Sequence, residues 1–146
     1  RGAWRGVFSA VGVIHGFENT WGPWWKPEED QEGMKYLLVL KYFFTKVVEF
    51  HRYRPNSKIL DESIKYELGT NPLCMSSEDM SSFLVYIPTG GIVSLKILAS
   101  SISESYWFNP RTCEKNRAIN YEVKDKKLVS FMAPDKEDWV LLLKVH

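Results

Sequence analysis

From Phe83 to Val145 the chain runs almost wholly in strand-like pieces: FLVYIPTGGIVSLKIL, then YWFNPRTCE, then LVSFMAPDKEDWVLLLKV. Phe83, Val85 and Ile87 alternate with Leu84 and Tyr86, the period of two that separates the faces of a sheet. Pro88-Thr89-Gly90-Gly91 then supplies a turn, Pro presetting φ and Gly free to take φ > 0. Asn109-Pro110-Arg111-Thr112 is a second turn signal, and Trp139, Leu141, Leu143 and Val145 form the last alternating run. Apolar, aromatic and β-branched runs bounded by turn residues predict a small antiparallel β-sandwich, with strands near 83–87, 92–98, 104–108, 128–132 and 139–145.

The residues before this stretch follow another period. Trp4, Val7, Phe8 and Val11 fall on one helical face, which predicts a helix near 2–10. Gly12-Val13-Ile14-His15-Gly16 reads as a short buried strand, and 17–33 as a loop rich in Trp, Gly and Pro. A second helix is expected near 34–49, with Leu37, Leu40, Phe44 and Val47 on one stripe and Tyr36 and Phe43 widening it. Arg54-Pro55-Asn56-Ser57 should end that helix and act as a linker. From Lys58 the pattern turns strand-like, with Ile64, Tyr66 and Leu68 alternating, then a break at Gly69-Thr70-Asn71-Pro72 and a polar loop at Ser76-Ser77-Glu78-Asp79. The fold class expected is therefore mainly β: a C-terminal sandwich preceded by a helix–strand–helix segment.

Composition excludes several classes of partner. Hydrophobic residues make up 45% of the 146, enough for a core, so wholesale disorder is not expected. A net charge of +1 with no Lys/Arg cluster argues against nucleic acid. The longest apolar runs fall well short of a membrane span. Six Trp suit either a packed sandwich or a sugar-binding surface, because indole stacks on sugar rings. Cys74 and Cys113 have no zinc spacing, and their pairing cannot be read from their separation. His15, His51 and His146 are scattered, so neither metal nor cofactor is expected. The chain opens on Arg1 inside a helical pattern, which we take as the mark of a fragment.

The order VYIPTGG, WFNPRTCE and F-x-x-P before DWVLLLK resembles the C-terminal domain, labelled collagen-binding, that follows a DUF4038 (apiosidase-like) glycoside hydrolase barrel. The resemblance covers about 60–146 well and the first residues more loosely. It implies two units: 1–57, the closing strand–helix segment of an incomplete β/α-barrel, and 58–146, an accessory β-sandwich. It also implies a polysaccharide or oligosaccharide partner through the parent barrel, a site of action outside the cytoplasm (extracellular or periplasmic), and catalytic carboxylates on barrel strands upstream of Arg1. The fragment alone is then inactive. Where the barrel family has G-x-x-Y-G, this chain has His15 in the tyrosine's place. Where the sandwich family usually has Gly after P-R-T, it has Cys113, at a turn position expected to need φ > 0.

Barrel enzymes bind substrate with loops at the C-terminal ends of their strands. Glu18, Asn19, Trp21, Trp24 and Trp25 of the 17–33 loop are residue types that line sugar subsites, with His15 just before them. The bland alternatives stand beside that reading: the Trp side chains can pack the barrel top, Glu18 can be a plain loop carboxylate, and His15 a satisfied core histidine. Glycoside hydrolysis needs two carboxylates flanking one bond, and Glu28-Glu29-Asp30 reads as a solvated cluster instead. In the sandwich, Tyr86, Pro88, Gly90, Trp107, Pro110, Arg111, Asp138 and Trp139 carry the motifs, and a structural role is expected for them: core aromatics, turn residues, and an Arg paired to a carboxylate or to turn carbonyls. A different class of function remains, a non-catalytic carbohydrate- or matrix-binding module whose first 57 residues are its own helical subdomain.

Overall fold

The structure, a computed structural model, describes residues 1–11, 33–119, 121–125 and 127–146. Its elements in chain order are helix α1 (Gly2–Phe8), helix α2 (Met34–Tyr42) and strands β1 (Tyr53–Pro55), β2 (Leu73–Ser77), β3 (Ser82–Ile87), β4 (Ile92–Leu95), β5 (Ile102–Phe108), β6 (Lys115–Arg117), β7 (Tyr121–Asp125), β8 (Leu128–Met132) and β9 (Trp139–Val145). A six-stranded sheet has the order β1-β2-β3-β9-β5-β6, and a three-stranded sheet the order β4-β8-β7. All strand pairs are antiparallel. The mainly β fold with two antiparallel sheets is thus present, and each of the five expected strands has its counterpart.

The central strands β3 and β9 are apolar at nearly every position because both of their faces are covered. On the inner face, Phe83, Val85, Ile87, Trp139, Leu141 and Leu143 pack with Val93, Leu95, Val129 and Phe131 of the small sheet. The register sets Val85 opposite Leu141 and Phe83 opposite Leu143, so like faces stay together. On the outer face, Leu84, Tyr86, Val140, Met75 and Phe108 pack with Trp4, Phe8, Leu40 and Phe43 of the helical layer. The described residues form three layers: helices, large sheet, small sheet.

Seven residues do not hold a helix alone in water, so α1 depends on what its buried face meets. Trp4 and Phe8, one turn apart, are its buried pair. It closes with Ala10 at φ 56, while Val11 N–H reaches back to Gly6 O at 2.9 Å. α2 continues into a π-helical turn, Phe43–Val47, and Thr45 Oγ1 donates to Lys41 O at 2.7 Å. The wider turn brings both Phe43 and Phe44 toward the sheet, with ring centroids 4.9 Å apart.

Three expectations are corrected. Ile64, Tyr66 and Leu68 form no strand: Asp61 accepts from the backbone and hydroxyl of Ser63, Thr70 closes a turn on Glu67, and Leu68 is fully exposed. Local side-chain-to-backbone bonding outweighs the alternation there. Arg54-Pro55 is not a linker but part of edge strand β1, paired with Ser76 and Met75. Proline is tolerated because an edge strand needs no donor on its open side. Ser76 and Ser77 belong to β2, with the polar turn beginning at Glu78. The helical stripes are covered by the sheet, with Trp4, Phe8, Leu40 and Phe43 buried against it. The strand expected at 12–16 and nearly all of the 17–33 loop lie outside the described residues.

Candidate functional site

The three sequence motifs, far apart in the chain, meet at one corner of the large sheet. Gly90 sits at φ +64, and a Cβ there would run into the Asp135 carbonyl and the Lys136 Cα. Glycine at this position is therefore what lets the turn after β3 lie directly on the loop before β9. Pro88, Gly90 and Pro110 are all buried in this corner.

Asn109 organises the turn after β5. Its Oδ1 accepts from both the backbone N–H and the Nε of Arg111, each at 2.9 Å. Cys113 N–H donates to Asn109 O at 3.0 Å, and Asn109 N–H to Glu114 O at 2.8 Å. The guanidinium so placed lies over the Trp139 ring, 5.3 Å from its centroid. It also faces Asp135 at 3.4 Å and Glu137 at 3.8 Å. Asp135 Oδ1 in turn accepts from Trp139 Nε1 and from Glu137 N–H, both at 2.7 Å. Burial pushes the Asp135 carboxyl up, but the bonds from Trp139 and Glu137 and the charge and hydrogen bond of Arg111 together outweigh it, and the net shift is downward.

Trp107 and Trp139 stand edge to face at 6.3 Å in the inner core. Tyr86 points the other way. Its ring stacks on Trp4 at 5.8 Å and 14°, and its hydroxyl donates to Asp138 Oδ2 at 3.1 Å. Burial, then the adjacent Asp138 charge, raises the phenol well above its ordinary value. Arg1 bonds Glu137 at 2.6 Å, so the start of α1 is held to the same loop that holds Arg111.

Between these groups lies a cleft of about 200 Å³ lined by Arg1, Trp4, Tyr36, Pro110, Arg111 and Asp138. That is below the roughly 300–1,000 Å³ of an ordinary ligand pocket. The arrangement suits a joint: alternating charges and one aromatic stack fasten the helical layer to the sheet corner. A larger polar cleft of about 360 Å³ opens farther along the outer face, where Arg52, Tyr53, Ser82, Glu104, Tyr106 and Lys115 meet. Lys115 Nζ lies 4.0 Å from the Tyr106 ring centroid, and Lys144 pairs with Glu104 at 3.1 Å.

Of the sequence-nominated residues, the structure brings Tyr86, Pro88, Gly90, Pro110, Arg111, Asp138 and Trp139 to this corner, with Trp107 beneath it. His15, Glu18, Asn19, Trp21, Trp24 and Trp25 lie outside the described residues. Sequence reasoning missed Arg1 and Trp4 as partners of the motif loop. The signal was available: FLVYI and WVLLL carry apolar side chains on both faces, so a second covering layer was required. The cysteines are free: Cys74 packs in the inner cluster and Cys113 against the outer one, on opposite sides of the sheet. Among the described residues, no cluster of His, Cys, Asp or Glu could hold a metal ion, and no helix is long and apolar enough to cross a membrane.

A family model described as "Putative collagen-binding domain of a collagenase" matches residues 57–144. No curated protein matches the chain. Among solved structures, a glycoside hydrolase family 5 protein from Bacteroides vulgatus ATCC 8482 is similar over 84% of this chain, at 18% identity and a TM-score of 0.64. A second, titled a glycoside hydrolase, is similar over 90% of this chain, at 17% identity and a TM-score of 0.59. These likenesses concern the fold. The chain spans 26% and 29% of the length of those two proteins.

Proposed function

Because the chain belongs, through residues 57–144, to the family of that collagen-binding-domain description, and shares its fold with parts of glycoside hydrolases, we propose that it is the C-terminal part of a carbohydrate-active glycoside hydrolase of the apiosidase-like (DUF4038) kind. In this reading residues 1–57 are the closing strand–helix segment of a β/α-barrel and 58–146 an accessory β-sandwich. One observation supports it most: the outer face of the large sheet is covered by α1 and α2, which precede the family span, and the motif corner grips them through Tyr86–Trp4 and Arg1–Glu137. A domain whose signature residues point at the preceding segment is built to hold that segment in place.

The sandwich then acts as a clamp on the barrel's closing helices and performs no chemistry. Both catalytic carboxylates belong to other barrel strands, and two carboxyl groups about 5–5.5 Å apart are needed for the retaining mechanism. The substrate is a polysaccharide or oligosaccharide met outside the cytoplasm, with His15, Glu18, Asn19, Trp21, Trp24 and Trp25 on the substrate side of the barrel. No cofactor enters. The test is to assay the purified chain against apiose-, arabinose- and rhamnose-containing substrates. No turnover is expected. Turnover abolished by Glu18→Gln would overturn the assignment of catalysis to other strands.

A second reading, a carbohydrate- or matrix-binding module, rests on the polar cleft at Tyr106, where an aromatic ring lies among hydroxyl and charged groups. Affinity electrophoresis through arabinogalactan, xylan and pectin, with a collagen pull-down beside it, tests it. Retardation lost in Tyr106→Ala would favour the module, and unaltered mobility in every gel would favour the clamp.

A further inference from the structure

Helix α2 and its π turn are apolar on two sides, although among the described residues only one side has a partner. Leu40 and Phe43 are buried against the sheet. Met34, Leu38 and Tyr42, spaced four apart and so stacked along a different line of the helix, are 44%, 59% and 47% exposed. Beside them a groove of about 660 Å³ opens between α1, α2 and β1, walled by Val7, Val11, Leu37 and Phe44. A helix apolar nearly all round belongs in the interior of a larger body. The charges around the stripe share one sign: Lys35, Lys41 and Lys46 are the charged residues between Met34 and Val48, and no Asp or Glu lies in that span. The 90% of the chain shared with one glycoside hydrolase structure extends well beyond residues 57–144, into the helical segment, and the chain spans only 29% of that protein. The helical layer thus occurs there inside a much longer polypeptide.

We propose that the Met34–Leu38–Tyr42 face, with the adjoining groove, seats the neighbouring strand–helix layer of the same polypeptide, presenting an apolar surface rimmed by carboxylates. The inference rests on the barrel reading above and names the surface at which that barrel continues. The chemistry is that of an interface with an apolar centre and a polar rim, in which the three lysines meet acidic partners.

The experiment compares the double variant Leu38→Lys/Tyr42→Lys in two settings, the 146-residue chain and the full polypeptide encoded by its gene. In the chain alone, the unfolding midpoint should stay within about 1 °C, as for exposed substitutions, while binding of an apolar dye and self-association fall several-fold. In the full polypeptide the same variant should lower the midpoint by more than about 5 °C, since two ammonium groups are buried. A large loss of midpoint in the chain alone overturns the proposal, because the face is then packed within the chain. An unaffected full polypeptide, or one that merely changes from dimer to monomer, overturns it as well, while the barrel reading stands. A gene product with no barrel attached to this chain overturns the barrel reading itself, and is seen from the gene before any variant is made.

Discussion

The two faces of the six-stranded sheet are buried in different ways. The inner face meets a second sheet, and its packing is mostly aliphatic, with Phe83, Phe131 and one edge-to-face Trp pair among it. The outer face meets helices through aromatic contacts: Trp4 with Phe43 at 5.2 Å, Phe43 with Phe108 at 4.7 Å, and Phe8 with Tyr86 at 5.7 Å. The inner partner strands lie in the same stretch of chain as the central strands, and ladders among themselves hold them as one sheet. The helical partners come from the start of the chain and are fastened by side chains alone: a stacked ring, the Arg1–Glu137 pair and Arg5 Nη1 on Asn71 O at 3.2 Å. A layer fastened by side chains can belong to another structural unit, whereas a strand paired into the large sheet is part of that sheet. β1, although it precedes the family span, is woven in.

The largest test of this contrast is removal of the helical layer. A chain beginning at Tyr53, which keeps β1, would turn Met75, Leu84, Tyr86, Phe108 and Val140 to water. At about 1.5–3 kcal/mol for each large apolar side chain, the loss rivals the whole stability of a small domain, about 5–15 kcal/mol. We expect the truncated chain to be insoluble or to unfold without a cooperative transition in urea. The resemblance implied a separate accessory sandwich at 58–146. A cooperative midpoint close to that of the intact chain would restore that expectation and make the helices an appendage.

A narrower test compares single side chains across the two faces. Trp4→Ala should cost about 3–5 kcal/mol, the usual range for a buried aromatic, and Phe131→Ala on the inner side should cost a similar amount. Urea unfolding of both variants measures the two layers on one scale. If Trp4→Ala costs less than about 1 kcal/mol while Phe131→Ala keeps its full effect, the helical layer is only loosely held.

The Tyr86–Asp138 bond is the polar fastener of the outer face. Tyr86→Phe leaves a buried carboxylate without that donor, which costs about 1–3 kcal/mol. It also changes the pH dependence. The folded phenol titrates above its unfolded value of about 10, so its contribution is complete below that pH and is lost as pH rises toward the folded value. Cys74, pushed up to about 12 by burial, adds to the same limb from nearer pH 9. Thermal midpoints from pH 7 to 11 should therefore fall on the alkaline side, and Tyr86→Phe should flatten the part above about pH 10. An unchanged alkaline limb in Tyr86→Phe would remove the phenol from this account.

Much of the sheet could be read in advance because its causes are local. Alternation marked β3 and β9, and Pro88-Thr89-Gly90-Gly91 and Asn109-Pro110-Arg111-Thr112 marked their turns. β2 was obscured because Leu73-Cys74-Met75-Ser76-Ser77 mixes small polar and apolar residues, and its strand character comes from pairing with β1 and β3. β6 and β7 are short and exposed, so they carry no burial pattern. At the corner, the turn chemistry of Asn109 and Asp135 was visible locally. The grip of Arg1 on Glu137 was not, because it joins residues from opposite ends of the chain and no period encodes such a pair. The double-sided apolar character of FLVYI was visible, but it was read only as the alternation of a sheet.

The smallest expected effect is at Cys113, and it tests the outer face from its rim. Cys113 has φ 65, the left-handed conformation expected from the motif position where the resembling family carries glycine. A side chain at such a φ costs about 1–2 kcal/mol relative to the right-handed region. Cys113→Gly removes that strain, but it also restores unfolded-state freedom worth about 0.5–1 kcal/mol. It further gives up the packing of the half-buried thiol against the helical-side cluster. Strain relief should win narrowly, raising stability by up to about 1 kcal/mol. Cys113→Ala separates the contributions, since it keeps the strain and loses only the sulfur contact. We expect Gly above wild type and Ala slightly below it in urea midpoint. If both variants fall by the same amount, the sulfur's contact with the helical layer outweighs the backbone strain, and the outer face reaches as far as this turn.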